Sequence, residues 1–302
     1  MSRIGVQSQS GIIQDLGKIL ANKPLAYLLI GNAVNIGIAQ AIRAASPSTL
    51  ILLRAQPDNW SLDAGVVDFA NRSMQVAQPF LEAGLCDFLL PPNEPVVQND
   101  VNARRLNDQM VQIAGIYKAN GYKTLAYNFS VGNPDYPLWE FLNDGIIASD
   151  GWLGLHQYGA PNLQRDSDNL SLRHRKARTF MSATVQGILK IGIDECFIDL
   201  GIGRAPDGEP TSGGYRALRN PTDDDLWWIK NLTTQLDWWD GELAKDAYVK
   251  FTCGFGYAMQ EPWVGLGFDI AQVDTDRQFF LNWLQPGDAP IPPVEPPIGG
   301  SV

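Results

Sequence analysis

Cysteine and histidine are scarce in this chain of 302 residues. There are three cysteines, Cys86, Cys196 and Cys253, and two histidines, His156 and His174. The odd count, the wide spacing and the lack of any C-x-x-C pair offer neither a disulfide framework nor a zinc set. Buried free thiols and no metal are expected. Basic charge is short as well. The net charge of −10 argues against nucleic acid or an anionic membrane as a partner. No apolar run reaches membrane-spanning length, and the opening Met-Ser-Arg-Ile-Gly holds none long enough for a signal peptide. Neither G-x-G-x-x-G nor a Walker sequence occurs, so the usual phosphate cradles are missing and no organic cofactor is expected.

What the chain does have is an ordinary core composition, 45% apolar and 19% charged, arranged in a repeating order. Strand-length apolar runs at 3–9, 26–32, 49–56, 87–90, 123–129, 152–158, 195–200 and 249–259 alternate with longer helical patterns. Near-continuous apolar strands separated by helices signal a parallel sheet covered on both faces. Eight such units predict a single α/β domain, a (β/α)8 TIM barrel, over residues 1–285. Residues 286–302, rich in Pro and Gly, read as a tail or linker outside it.

The chain is organised around Phe88-Leu-Leu-Pro-Pro-Asn93-Glu94-Pro95, a short strand running into a proline-braced turn that carries an amide beside a carboxylate. In this barrel, sites form at the C-terminal ends of the strands. The polar residues there are Gln7 and Gln9, Asn32, Arg54, Asn93 with Glu94, Asn128, His156 with Tyr158, Asp199, and Glu261 with Trp263. Carboxylates, amides and aromatic platforms without a phosphate cradle suit glycosidic hydrolysis, in which one acid protonates the leaving oxygen and a second attacks or activates water. A barrel aldolase or isomerase would need a Lys or metal carboxylates at these ends, and neither is evident.

Asn93-Glu94-Pro95 after a fourth strand, a carboxylate ending the seventh and a Trp after the eighth resemble the clan A glycoside hydrolases. Tyr127-Asn-Phe-Ser-Val-Gly-Asn-Pro-Asp with Leu153-Gly-Leu-His-Gln-Tyr-Gly-Ala-Pro161 is similar to a bacterial and phage-associated branch of that clan. The resemblance implies a monomer that cleaves a β-linked polysaccharide or glycoconjugate in an extracellular, phage or envelope setting. It implies Glu94 as general acid/base, Asn93 on the neighbouring sugar hydroxyl, His156 and Tyr158 orienting the second carboxylate, and Trp263 as the stacking floor. Arg54 and Asn128 complete the expected substrate-binding set.

Two departures bear on chemistry. Relatives of this type usually carry Thr-Glu-x-Gly where this chain reads Ile198-Asp199-Leu200-Gly201, and often Glu where Gln157 stands. Asp reaches roughly 1.5 Å less than Glu. Retaining enzymes hold the two carboxyl groups about 5–5.5 Å apart and inverting ones about 6.5–9.5 Å. With Asp199 opposite Glu94, three outcomes stand: a retaining enzyme with a backbone shift, an inverting enzyme, or a silent carbohydrate-binding barrel. Glu261 is a candidate substitute carboxylate. His174, within Arg173-His-Arg175-Lys176, reads as a solvated helix start without function. Trp227-Trp228 and Trp238-Trp239 read as helix residues packing on the barrel, and the polar loop 204–225 as a cleft wall.

Overall fold

The structure, a computed structural model, describes residues 4–9, 15–21, 23–31, 34–55, 65–160, 162–199, 214–217, 222–254, 256–261, 264–265 and 267–284. The tail, Asn32, Trp263 and most of the 204–225 loop lie outside them.

Eight strands form one parallel sheet: β1 Ile4–Ser8, β2 Ala26–Ile30, β3 Leu50–Arg54, β4 Phe88–Leu89, β5 Ala126–Phe129, β6 Trp152–Gly159, β7 Lys190–Ile198 and β8 Val249–Gly254. Their order is β4-β3-β2-β1-β8-β7-β6-β5. The two edge strands meet through main-chain bonds rather than a regular ladder. Leu89 N–H donates to Lys123 O at 2.9 Å, and Glu94 N–H to Asn128 O at 3.1 Å. The sheet curls into the barrel that the alternating pattern predicts. Helices α1 Leu16–Ala21, α2 Ile36–Ala45, α3 Val66–Glu82, α4 Asp100–Ala119, α5 Asn143–Ala148, α6 Arg173–Thr179, α7 Ala183–Ile188, α8 Trp227–Leu243 and α9 Asp274–Leu284 lie between and after the strands.

Strand residues divide by parity, as a pleat requires. Ala26, Leu28, Ile30, Leu52, Phe88, Leu90, Leu125, Phe251 and Cys253 form an inner cluster. Tyr27, Leu29, Ile51 and Leu53, one residue out of step, join the larger cluster shared with the helices. Trp152 begins β6 and Phe88 begins β4. With Phe251 they form an aromatic plug, with ring centroids 4.8 Å apart for Phe88–Trp152 and 6.0 Å for Trp152–Phe251. This apolar floor fills the strands' N-terminal half and leaves the C-terminal half to polar side chains.

Two glycines make that filling possible. A Cβ on Gly192 would stand 2.3 Å from the Phe251 ring, and one on Gly154 would stand 1.7 Å from Asn128 Oδ1. Gly154→Ala is expected to push the Asn128 amide out of place and lower stability by about 1–3 kcal/mol, measured by urea unfolding. An unchanged midpoint would show that the amide moves freely.

The seventh strand differs from the sequence expectation. Before it, where one longer helical pattern is expected, stand two short helices, α6 and α7, the second capped by Ser182 Oγ accepting from Val185 N–H. The strand starts at Lys190, five residues before the expected 195, because Ile191, Gly192 and Ile193 already alternate between the helix-facing side and the barrel interior. Trp239 is fully buried, as expected of a helix residue on the barrel, while Trp227, Trp228 and Trp238 are half-buried.

Candidate active site

Side chains from β1, β3, β6 and β7 and from the turn after β4 converge on one cluster. The longer β7 carries a bulge: Ile193 pairs with Leu155, yet Glu195 pairs with His156. The extra residue turns Asp194 and Glu195 both toward the barrel interior, where each meets Arg54 from β3. Arg54 Nη2 donates to Asp194 Oδ2 at 2.8 Å and Arg54 Nη1 donates to Glu195 Oε1. Tyr158 OH donates to Glu195 Oε2 at 2.7 Å, and Gln7 Nε2 approaches Oε1 at 3.4 Å. Glu195 is thus a deep carboxylate gripped on both oxygens, its side chain 7% exposed.

Glu94 faces it from the turn after β4, 35% exposed at its side chain. His156 Nδ1 lies 2.7 Å from Glu94 Oε1 and 3.3 Å from Glu195 Oε2. Facing two carboxylates, that nitrogen carries a proton. The Nδ1 atom and one oxygen from each glutamate lie within 4.8 Å of one another. We read this trio as a proton-sharing group rather than a cation site, since Arg54 and His156 already supply the compensating charge.

The backbone under Glu94 is strained. Glu94, Tyr127 and Asn128 have φ of 47°, 74° and 50°, in the left-handed region that non-glycine residues rarely occupy. Their surroundings hold them there. Tyr127 OH lies 2.9 Å from both Asn107 Oδ1 and Leu142 O, which share its one proton. Asn133 braces the loop after Glu94, accepting from Val97 N–H and donating to Val97 O, both at 3.1 Å. Buried Arg173 in turn donates to the carbonyls of Ser130, Asn133 and Pro134 at 2.6, 2.8 and 3.0 Å.

Electrostatics separate the two glutamates. Burial alone would raise the Glu195 carboxyl, but the His156 and Arg54 charges and the bonds from Arg54 and Tyr158 hold it down to about 2. Glu195 is therefore ionised at any working pH. Burial alone would lower His156, and the Glu195 and Asp194 charges, with bonds to Asp194 and Glu94, instead push it up to about 10. Burial and the neighbouring carboxylates keep the Tyr158 phenol protonated.

The sequence-derived candidates fall in several places. Glu94, Arg54, His156 and Tyr158 meet in the cluster. Asn93 lies beside Glu94, half-buried, with its Oδ1 buried and unpartnered. Asn128 is fully buried and spends its amide N–H on Asp194 at 2.9 Å. Asp199 follows β7, four residues past Glu195, with its N–H on Gly159 O at 3.0 Å, and acts on Tyr158 through its charge. Glu261 is exposed and accepts from Gly265 N–H at 3.0 Å within its own loop.

Sequence reasoning passed over Asp194 and Glu195. The signal was present as Lys190-Ile-Gly-Ile, an alternating start that moves both acids from the foot of the strand into its middle. His174 is also placed differently. It is fully buried, with Nδ1 2.8 Å from Gln157 Nε2 and Nε2 3.0 Å from Asp246 Oδ2. Gln157 therefore faces α6, away from His156 and Tyr158 on the same strand. Burial lowers His174 despite the Asp246 bond. The chain's two imidazoles are expected to titrate on opposite sides of the ordinary value near 6.5. Histidine NMR would show His156 protonated and His174 neutral at pH 7.5, and two ordinary titrations would refute the charge assignment.

No family model matches the sequence, and no curated protein matches it significantly. Among solved structures, the chain is similar to a GH128 endo-β-1,3-glucanase from Pseudomonas viridiflava (11% identity, TM-score 0.50, covering 92% of this chain and 96% of that one). A β-glucanase from Saccharophagus degradans is also similar (11%, 0.51, 94% and 89%). Saccharomyces cerevisiae Gas2p, solved with laminaritetraose and laminaripentaose, is a third (11%, 0.52, 94% and 63%). What these structures share with the chain is the fold. The chain spans less than two thirds of several proteins it matches, 63% of the yeast protein and 62% of a Croceicoccus marinus glucosidase.

Proposed function

We propose that this chain is a retaining glycoside hydrolase acting on a β-linked polysaccharide, with Glu195 as nucleophile and Glu94 as general acid/base. One observation carries the reading. An ionised, gripped carboxylate and a half-exposed one present oxygens within 4.8 Å of each other across the barrel mouth. That spacing suits the retaining class and is too short to seat a water between the groups.

A Glu195 oxygen attacks the anomeric carbon, and the bond to the leaving oxygen breaks as Glu94 gives that oxygen its proton. A water then attacks the glycosyl–enzyme ester, passing a proton to Glu94 as Glu195 departs. Tyr158 and Arg54 hold Glu195 in line, and Asn93's unpartnered amide oxygen is placed to accept from a sugar hydroxyl. A laminarin-type β-1,3-glucan is the first substrate to try, given the ligands and activity named for two of the similar structures.

Proton NMR of the first products formed from β-glucans tests the proposal, with the β-anomer expected. Glu94→Gln is expected to cut kcat by about 10²–10⁴-fold. A first-formed α-anomer would place the enzyme in the inverting class. Saturable sugar binding without turnover would make the chain the silent carbohydrate-binding barrel.

A further inference from the structure

Asp194 is a third carboxylate of the cluster, and the two-glutamate scheme gives it nothing to do. It is fully buried. Its Oδ2 accepts from Arg54 Nη2 at 2.8 Å and from Asn128 Nδ2 at 2.9 Å, and lies 3.6 Å from His156 Nε2. Its Oδ1 has no partner. Through one oxygen it thus touches Arg54, which grips Glu195, and His156, which bonds Glu94.

We propose that Asp194 is a positioning residue that fixes Arg54 and His156 between the two glutamates and keeps a proton on the imidazole within reach of Glu94. The inference rests on the glycosidase reading for its catalytic meaning, and on geometry alone for its structural meaning.

Arg54 from β3, Glu94 after β4, and Asp194 and Glu195 from β7 face His156 directly, while Asn128 from β5 bonds Asp194, Tyr158 from β6 bonds Glu195, and Cys253 from β8 lies near both acids. Two buried carboxylates, Asp194 and Glu195, share one guanidinium there. One positive charge cannot neutralise both, and a buried carboxylate left alone is costly, so the imidazole is the group that supplies a second positive charge. On the ring's far side Nε2 has Arg54 Nη2 at 3.3 Å and Asp194 Oδ2 at 3.6 Å, so Asp194 offsets the guanidinium beside the imidazole and, by holding Arg54, sets the wall against which Nδ1 points at Glu94. Glu94 then has a bonded N–H donor beside it both before and after it yields its proton to the leaving oxygen. Asn at position 194 would keep the shape and a carbonyl acceptor while removing the charge.

The experiment is a pH titration of the two imidazoles by NMR in the wild type and in Asp194→Asn, with pH profiles on a β-glucan alongside. The two histidines are distinguished by a His174→Gln variant. In Asp194→Asn the His156 proton is expected to leave at a pH lower by one unit or more, with His174 unmoved. On glucan, kcat is expected to fall about tenfold with KM within about twofold, and the alkaline limb to move down with the imidazole.

An unmoved His156 titration would overturn the proposal, whatever happened to activity. So would a wild-type His156 that titrates at or below the ordinary value, a result that needs no variant to fold. If the imidazole shifts as expected but no glycan is turned over by the wild type, the glycosidase reading falls and Asp194's positioning role stands.

Discussion

Glu195→Gln is expected to abolish turnover on a β-glucan, with kcat down on the order of 10⁴-fold or more. Asp199→Ala is expected to stay within a few-fold of wild type. The contrast follows from where the strand places each group. Glu195 stands level with His156 in the ladder, receives the Tyr158 and Arg54 donors, and shares His156 with Glu94. Asp199 lies past the strand's end with its backbone tied to Gly159. The amide of Gln can keep one acceptor for Arg54 but cannot attack carbon, so fold and sugar affinity should survive. Rescue of a Glu195→Gly variant by azide, yielding an α-glycosyl azide, would identify the missing group as the nucleophile. A dead Asp199→Ala beside an active Glu195→Gln would reverse the assignment.

Arg54→Met carries the largest expected effect on stability. The guanidinium is 3% exposed and binds Asp194 and Glu195 together. Met keeps the length and apolar stem but leaves two buried carboxylates without their strongest partner. Removing one member of such a buried set costs about 3–5 kcal/mol, because the charges left behind cannot return to water. In a chain of this size that corresponds to a melting temperature lower by about 10 °C. The same change made in the Glu195→Gln background should cost less, since one stranded charge is already gone, and the difference measures the coupling. Equal losses in both backgrounds would show that Arg54 stabilises through its stem alone.

How much of this was legible beforehand depends on the kind of signal. The eight-strand alternation was legible because interior and helix-facing residues are both apolar, so strands such as Ala26–Ile30 read as unbroken runs. Glu94, Arg54, His156 and Tyr158 were legible because each stands at or just beyond a clear strand end. Glu195 was not. It lies mid-strand behind a bulge, and a bulge changes parity without changing composition, so no pattern of apolar residues reports it. Reading β7 from 195 put Glu195 at the foot of the barrel and left Asp199 as the acid at its rim.

Arg173 and His174 failed for another reason. Four consecutive basic residues look like a solvated face, yet Arg173 is needed to bind three loop carbonyls and His174 to link Gln157 with Asp246. Those partners are distant in sequence. Nothing local announces them.

The junction between β4 and β5 holds one more consequence. Every other neighbouring pair of strands is zipped by a ladder, whereas this pair has two isolated main-chain bonds, one of them made by Glu94 itself. Amide exchange at Leu89 and Glu94 should therefore outpace that of the laddered strands around them. A barrel fastened this way can part along one side, beside its half-exposed glutamate, while the gripped one across from it stays anchored.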